Sequence, residues 1–298
     1  MGTPLVSLVT TVYNKGPFLL DMIKSVFAQT FTNWELILLD DSSTDNSLQI
    51  AQSIDDPRVR VYANERNLGR TRSRNKAIAL ARGEYIALID ADDMCSAKRI
   101  EKQLELFRES SNVDIVGTGI CYLDRNDVPI GHWYPPPLHE QICREPTRTF
   151  RICHGSILGK KSWFKKNPYN ESIELGEDFN LFLYAYETST FSNVTEPLYY
   201  YRLEQSFNLK KVLIDRLTCA KFLFGYYFKK KQFVKANYAA MMQFVRLMAV
   251  VTLSLTGLKK RLLARRYTAL SEEEQRFYEQ EIQNIRKTKL PIKILEER

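Results

Sequence analysis

Cysteine is scarce in this chain: Cys95, Cys121, Cys143, Cys153 and Cys219 are odd in number, far apart and never arranged as CxxC. That pattern excludes a disulfide framework and a thiolate zinc site, and it predicts reduced thiols in a cytosolic protein. A bilayer-length apolar run is also missing. The most apolar stretch, Phe244–Leu258, carries Arg246 and falls short of the roughly 20 residues a span needs, so an amphipathic or core helix is expected there. From Met1 the chain runs straight into a strand-like stretch without the charged, apolar and cleavage segments of a secretory signal, and none is expected. There is no internal repeat, low-complexity tract or nucleic-acid motif. No GxGxxG follows the first strand-like run, where Thr11–Gly16 offers a single glycine; the close-approach turn of a dinucleotide-binding oxidoreductase is therefore absent.

What is present is an ordinary globular composition, 44% hydrophobic and 26% charged, in 298 residues that suffice to bury a core. The net charge of +8 favours phosphate-bearing ligands, anionic membrane surfaces or nucleic acid. Through the first 120 residues β-like runs at Val6–Val12, Glu35–Leu39, Val59–Tyr62, Tyr85–Ile89 and Ile115–Ile120 alternate with helical patterns at Phe18–Phe27, Ser47–Ile54, Arg72–Ala81 and Lys98–Phe107. Asp45 reads as the N-cap of the second helix. This alternation predicts an α/β fold: a Rossmann-like, mostly parallel sheet flanked by helices.

Beyond Tyr122 regularity weakens. Trp133–Pro137 reads as an extended aromatic-lined loop, Phe150–Gly159 as a strand, Glu177–Glu187 as a helix opening with two acids, and Thr190–Tyr201 as a strand pair. After about Ser206 the composition turns to basic, aromatic helix, with clusters at Lys229–Lys231 and at Lys259, Lys260, Arg261, Arg265 and Arg266. The expected organisation is a catalytic domain over residues 1–205, divided near 121, and a helical C-terminal extension over 206–298.

Acids gather where two strands end. Asp90, Asp92 and Asp93 follow the fourth strand, at the sheet edge where α/β ligands bind. Crowded carboxylates are unfavourable without a cation, and hard divalent ions take carboxylate oxygens together with substrate phosphates. Asp40 and Asp41 follow the second strand and lead into the turn formers Ser42–Asp45. A third group, Glu177 and Asp178, opens a later helix.

In order and spacing, VSLVTTVYN (6–14), LLDDSSTDN (38–46), NLGRTRSRNKA (67–77) and GEYIALIDADD (83–93) resemble the donor-binding half of family 2 glycosyltransferases, which have the GT-A fold. The resemblance implies a metal-dependent, inverting enzyme using a UDP-sugar donor and a carbohydrate or lipid-linked glycan acceptor, in cell-surface polysaccharide, lipopolysaccharide or glycoconjugate assembly. It implies that Asp41 contacts the uracil, that Thr11 and Tyr13 line the base and ribose pocket, and that Asn67 and Arg74 contact the donor. Asp90 then lies near the ribose as the first acid of a DxD motif, and Asp92 ligates Mn²⁺ or Mg²⁺. On the acceptor side Asp178 is implied as general base, with Glu177 positioning the acceptor or serving as the base itself. RICHGSILGKKS (151–162) resembles the acceptor-side strand and makes His154 a secondary candidate. The rival reading is a non-catalytic nucleotide-sugar module. The basic, aromatic tail leaves two expectations open: peripheral contact with the inner face of the cytoplasmic membrane, or packing of its aromatics on the catalytic domain or a second subunit with the lysines solvated.

Overall fold

The computed structural model describes residues 5–173, 175–203, 209–255 and 267–293. In chain order these form β1 (Val6–Val12), α1 (Gly16–Phe27), β2 (Trp34–Asp40), α2 (Ser47–Gln52), β3 (Val59–Ala63), α3 (Arg70–Leu80), β4 (Tyr85–Leu88), β5 (Met94–Cys95), α4 (Arg99–Glu109), β6 (Ile115–Leu123), β7 (Pro129–Trp133), α5 (His139–Ile142), β8 (Leu158–Lys160), α6 (Lys161–Lys166), α7 (Glu177–Ala185), β9 (Phe191–Arg202), α8 (Leu209–Lys229), α9 (Phe233–Leu255) and α10 (Glu272–Lys287).

One sheet runs β3-β2-β1-β4-β8-β6-β9-β5, with β7 on β6. It is parallel from β3 through β4 and mixed beyond. The parallel strands are apolar on both faces because helices cover both. In β1 and β2, Val9, Ile37 and Leu39 enter one core with Ile86 and Leu88, while Leu8, Leu36 and Leu38 enter the other with Leu19, Met22 and Ile23 of α1. Pro17 lies in the first turn of α1, where its missing N–H costs nothing.

The irregular half departs from three expectations. Phe150–Gly159 is not a strand: a single 3₁₀ turn, His154–Ser156, precedes the three-residue β8. The turn brings Gly155 so near the DxD loop that a Cβ there would lie 2.5 Å from the Tyr199 hydroxyl and 3.0 Å from Asp90 Oδ2. Thr190–Tyr201 is not a strand pair but one strand, β9, lying parallel to β6. Pro197 cannot donate to the ladder, and the register shifts around Gly119 absorb it. Trp133 ends a strand, and the loop starts only after it. Asp45 adjoins Asn46, the residue before α2, and its carboxylate takes the backbone N–H of both Ser47 and Gly16, tying two helix starts together.

The described C-terminal helices lie against this body. Leu223, Tyr226 and Tyr227 of α8 and Ala236 and Ala239 of α9 enter a sheet-face core, and Tyr278, Ile282 and Ile285 of α10 pack with Met94, Cys121 and Tyr200. Helix α9, 23 residues long, extends the expected apolar stretch toward the N-terminus and, against the expectation of a run too short to span, is long and apolar enough to cross a bilayer by length and composition. The cluster Lys259–Arg266 lies outside the described residues.

Candidate active site

The parallel strands β1, β2 and β4 end side by side, so the acids that follow them share one edge. Asp41, buried, accepts from Asn64 Nδ2 (2.8 Å) and from the backbone N–H of Leu68 (2.9 Å) and Gly69 (3.0 Å). Its carboxylate thus holds the turn into α3, where Gly69 adopts a φ of 85° that side-chain-bearing residues avoid. Asn67 supports the same turn from its exposed position, accepting from Gly69 N–H at 3.0 Å. Thr11 is half-buried and Tyr13 exposed at the β1 end.

The turn delivers Arg70 and Arg74, four residues apart and so on one face of α3. Arg74, almost fully buried, bridges the two acid groups: Nη2 lies 3.4 Å from Asp90 Oδ1 and Nη1 lies 3.2 Å from Glu177 Oε1. Arg70 reaches the same Glu177 oxygen at 3.3 Å. The predicted donor-side and acceptor-side acids, 87 positions apart in sequence from Asp90 to Glu177, therefore meet through one guanidinium.

Glu177 and Asp178 are adjacent yet electrostatically opposite. Burial works against Glu177 ionisation, but Arg70 and Arg74 outweigh it and hold the carboxyl below the usual range. For Asp178 burial, and then the Glu177 charge, lift the carboxyl to about 6. Asp215 of α8 adds to that lift. An ionised anchor beside a carboxylate poised near neutrality is the arrangement of a positioning acid and a proton acceptor. Gly176, at φ 78°, makes the turn into α7.

At the DxD segment the three acids divide. Asp92 pairs with Lys15 from the β1–α1 turn. Asp93 is buried, accepting from the Tyr199 hydroxyl (2.8 Å) and the Arg202 backbone N–H (3.0 Å). Burial raises the Asp90 carboxyl; Arg74 opposes that, and Asp92 adds to it. Arg202, 2% exposed, contacts the Asp92 carbonyl and pairs with Asp127 and Asp21. Arg286 of α10 reaches the same two acids.

His154 bonds through Nε2 to the Tyr169 hydroxyl at 2.6 Å. Burial, with Arg74 and Arg70 nearby, pushes its pKa well below the ordinary histidine value, so it is neutral. The Tyr169 ring also faces the Arg74 guanidinium at 5.3 Å.

Sequence reasoning missed Lys15, Arg70, Tyr169 and Arg286. Arg70 carried a usable signal in its four-residue spacing from Arg74; the others are joined to the site only by the fold.

The family model for glycosyl transferase family 2 matches residues 7–167. An uncharacterized glycosyltransferase of Methanocaldococcus jannaschii is 29% identical over 86% of this chain and 91% of its own length. The putative glycosyltransferase EpsE of Bacillus subtilis is 32% identical, over 66% of this chain and 72% of its own. Chondroitin synthase of Escherichia coli is 31% identical over 66% of this chain but only 28% of its own length. Among solved structures, S. aureus TarS residues 1–349, crystallised with UDP-GlcNAc, gives a TM-score of 0.60 at 18% identity, covering 78% of this chain and 72% of that one.

Proposed function

Since the chain belongs to glycosyl transferase family 2, we propose that it moves a sugar from a UDP-sugar to an acceptor hydroxyl with inversion, in the building of a cell-surface polysaccharide or related glycoconjugate. The observation that carries this reading is Arg74 between Asp90 and Glu177: it joins the donor-side acids to a carboxylate pair suited to deprotonating an acceptor. The relatives support it, since they include a chondroitin synthase and a fold neighbour crystallised with UDP-GlcNAc.

In this reading Thr11, Tyr13, Asp41 and Asn67 form the base and ribose side of the donor pocket. Arg74 would contact the donor, since a guanidinium fork suits a diphosphate. Mn²⁺ or Mg²⁺ would be held by Asp92 together with the donor phosphates. Among the described residues no three His, Cys, Asp or Glu side chains form a metal cluster, but these ions commonly bind through one or two carboxylates plus substrate phosphates. The Asp92 carboxylate already faces a cation, the Lys15 ammonium, so its surroundings suit positive charge. When bound, the metal supplies Lewis acidity that stabilises the departing diphosphate. Glu177, fixed by two arginines, orients the acceptor, and Asp178 takes the proton from the attacking hydroxyl. Attack from the face opposite the leaving group inverts the anomeric carbon.

The test is UDP release from candidate UDP-sugars with and without Mn²⁺, using Asp92→Asn as control. Metal-dependent release lost in the variant is expected. In thermal melts, donor at about a hundred times its Kd stabilises the parent by roughly 2.7 kcal/mol when Mn²⁺ is present. A variant stabilised equally would remove Asp92 from the metal role.

A further inference from the structure

Residues 209–255 contain nine Lys and Arg and one Asp, a net +8 equal to that of the whole chain, so the remaining residues balance to zero. All the excess positive charge of this protein is therefore carried by the sequence of one helical hairpin, α8 and α9. The same hairpin is apolar outside. Of the 17 exposed large hydrophobic side chains among the described residues, 11 lie on it. On α9, Phe233, Met241, Phe244 and Met248 fall on one side at 3.6 residues per turn, opposite the buried Ala236, Ala239, Gln243 and Leu247. At the hairpin end Phe224 stacks on Phe228 (5.6 Å between centroids) and Phe228 meets Phe233 edge-on (5.1 Å), which joins the outer stripes of the two helices. The connecting turn is the exposed Lys229–Lys231.

We propose that this hairpin docks the protein on an anionic lipid bilayer surface, its aromatic face inserted at the headgroup level and Lys229 and Lys231 on the acidic headgroups, while Lys230 stays paired with Glu187. An unpartnered apolar face alone could meet many surfaces; the exposed lysines of the same hairpin, Lys210, Lys221, Lys229, Lys231 and Lys235, select an anionic one. Helix α9 is long and apolar enough to cross a bilayer, but its inner side is tied to the body. Gln243 donates to the Thr147 carbonyl at 3.2 Å and accepts from Arg216 at 3.3 Å, and Arg246 donates to the Arg148 carbonyl at 2.8 Å. Those bonds lay the helix along the surface rather than through it. On its inner side α8 packs beside the acceptor-side acids: Asp215 and the buried Cys219 sit where a Gly176 Cβ would be 3.1 and 3.4 Å away, one residue before Glu177.

The inference is tested without donor or metal, so it stands or falls separately from the catalytic reading. The full chain is floated with vesicles of phosphatidylglycerol and phosphatidylcholine, or of phosphatidylcholine alone, at low and at high salt. Binding to the anionic vesicles at low salt, released by high salt, is expected. The Lys229→Ala, Lys231→Ala double variant should bind roughly thirty-fold more weakly, from two charges at about 1 kcal/mol each. Phe244→Glu with Met248→Glu should abolish binding with melting temperature unchanged, because both side chains are exposed. Absence of binding to anionic vesicles, equal binding to neutral ones, or a dimer in sedimentation equilibrium that the Phe244→Glu, Met248→Glu variant dissolves would overturn the proposal; the last would make this face a contact between copies.

Discussion

Replacing Asp178 with Asn separates the chemistry of this site from its stability, because the two are expected to move in opposite directions. The change removes a charge but keeps the Oδ1 that accepts the Phe179 N–H at 2.7 Å. As a base, Asp178 must be ionised, so parental transfer should rise with pH through about 6 and level off above it. The variant should lose roughly 10²–10⁴-fold and show no such step, with donor affinity retained. For folding the sign is reversed. The carboxyl sits near 6 in the fold against an ordinary 3.8, so the protein favours the neutral form. That preference is fully felt below about 4 and is lost as pH rises through about 6, above which folding must accommodate an unwelcome charge. At about 1.4 kcal/mol per pH unit, the gap amounts to as much as roughly 3 kcal/mol. Asp178→Asn should therefore melt higher than the parent above about pH 7, with the difference shrinking to nothing near pH 4. The measurements are thermal melts across that range beside initial rates of sugar transfer. Parental rates in the variant, or a variant less stable than the parent above pH 7, would refute the assignment of Asp178 as a buried, charge-strained base.

Two further perturbations probe the frame around the site. Arg202→Met leaves Asp127 and Asp21 facing each other with only Arg286 and removes the contact to the Asp92 carbonyl, so equilibrium unfolding should show a loss of about 3–5 kcal/mol; a loss below about 1 would mean that Arg286 carries the cluster alone. Gly119→Ala places a Cβ 2.4 Å from the Thr195 carbonyl opposite the β9 irregularity and should cost roughly 1–3 kcal/mol in urea unfolding, whereas an unchanged midpoint would show that the strand can yield there.

How much of this was legible depends on how far apart the cooperating residues lie. β1 and β2 announce themselves because β-branched and apolar residues dominate both, VSLVTTV and WELILLD, which suits strands buried on both faces. Arg74 and the acid groups were readable because motif spacing fixes them on the strand ends and helix starts of the fold. β9 was not, since Pro197 reads as a break and only the bulged pairing to β6 shows how a strand passes through it. His154 and its 3₁₀ turn were taken for strand because the local apolar pattern outweighed a requirement set by Tyr199 and Asp90 from elsewhere in the chain. Lys15 meets Asp92 across 77 positions and Arg286 meets Asp21 across 265, and no local pattern encodes either. Asp41 was read for its expected contact with uracil, while its bonds to the α3 turn emerge only from the folded backbone.

The reach of Arg286 sets an order of assembly. The sheet and the acids at its edge lie within the first 202 residues, yet the arginine pair beneath the Asp92 loop is completed only by a helix that ends at Lys287. A chain still being synthesised can bring the acids together at the sheet edge before that helix emerges from the ribosome, but its Asp21 and Asp127 will then have Arg202 without its partner. Activity in a growing chain should accordingly lag behind folding of the sheet. Any engineered fusion or truncation that strains the α10 attachment acts on the Asp92 loop from a helix distant in sequence.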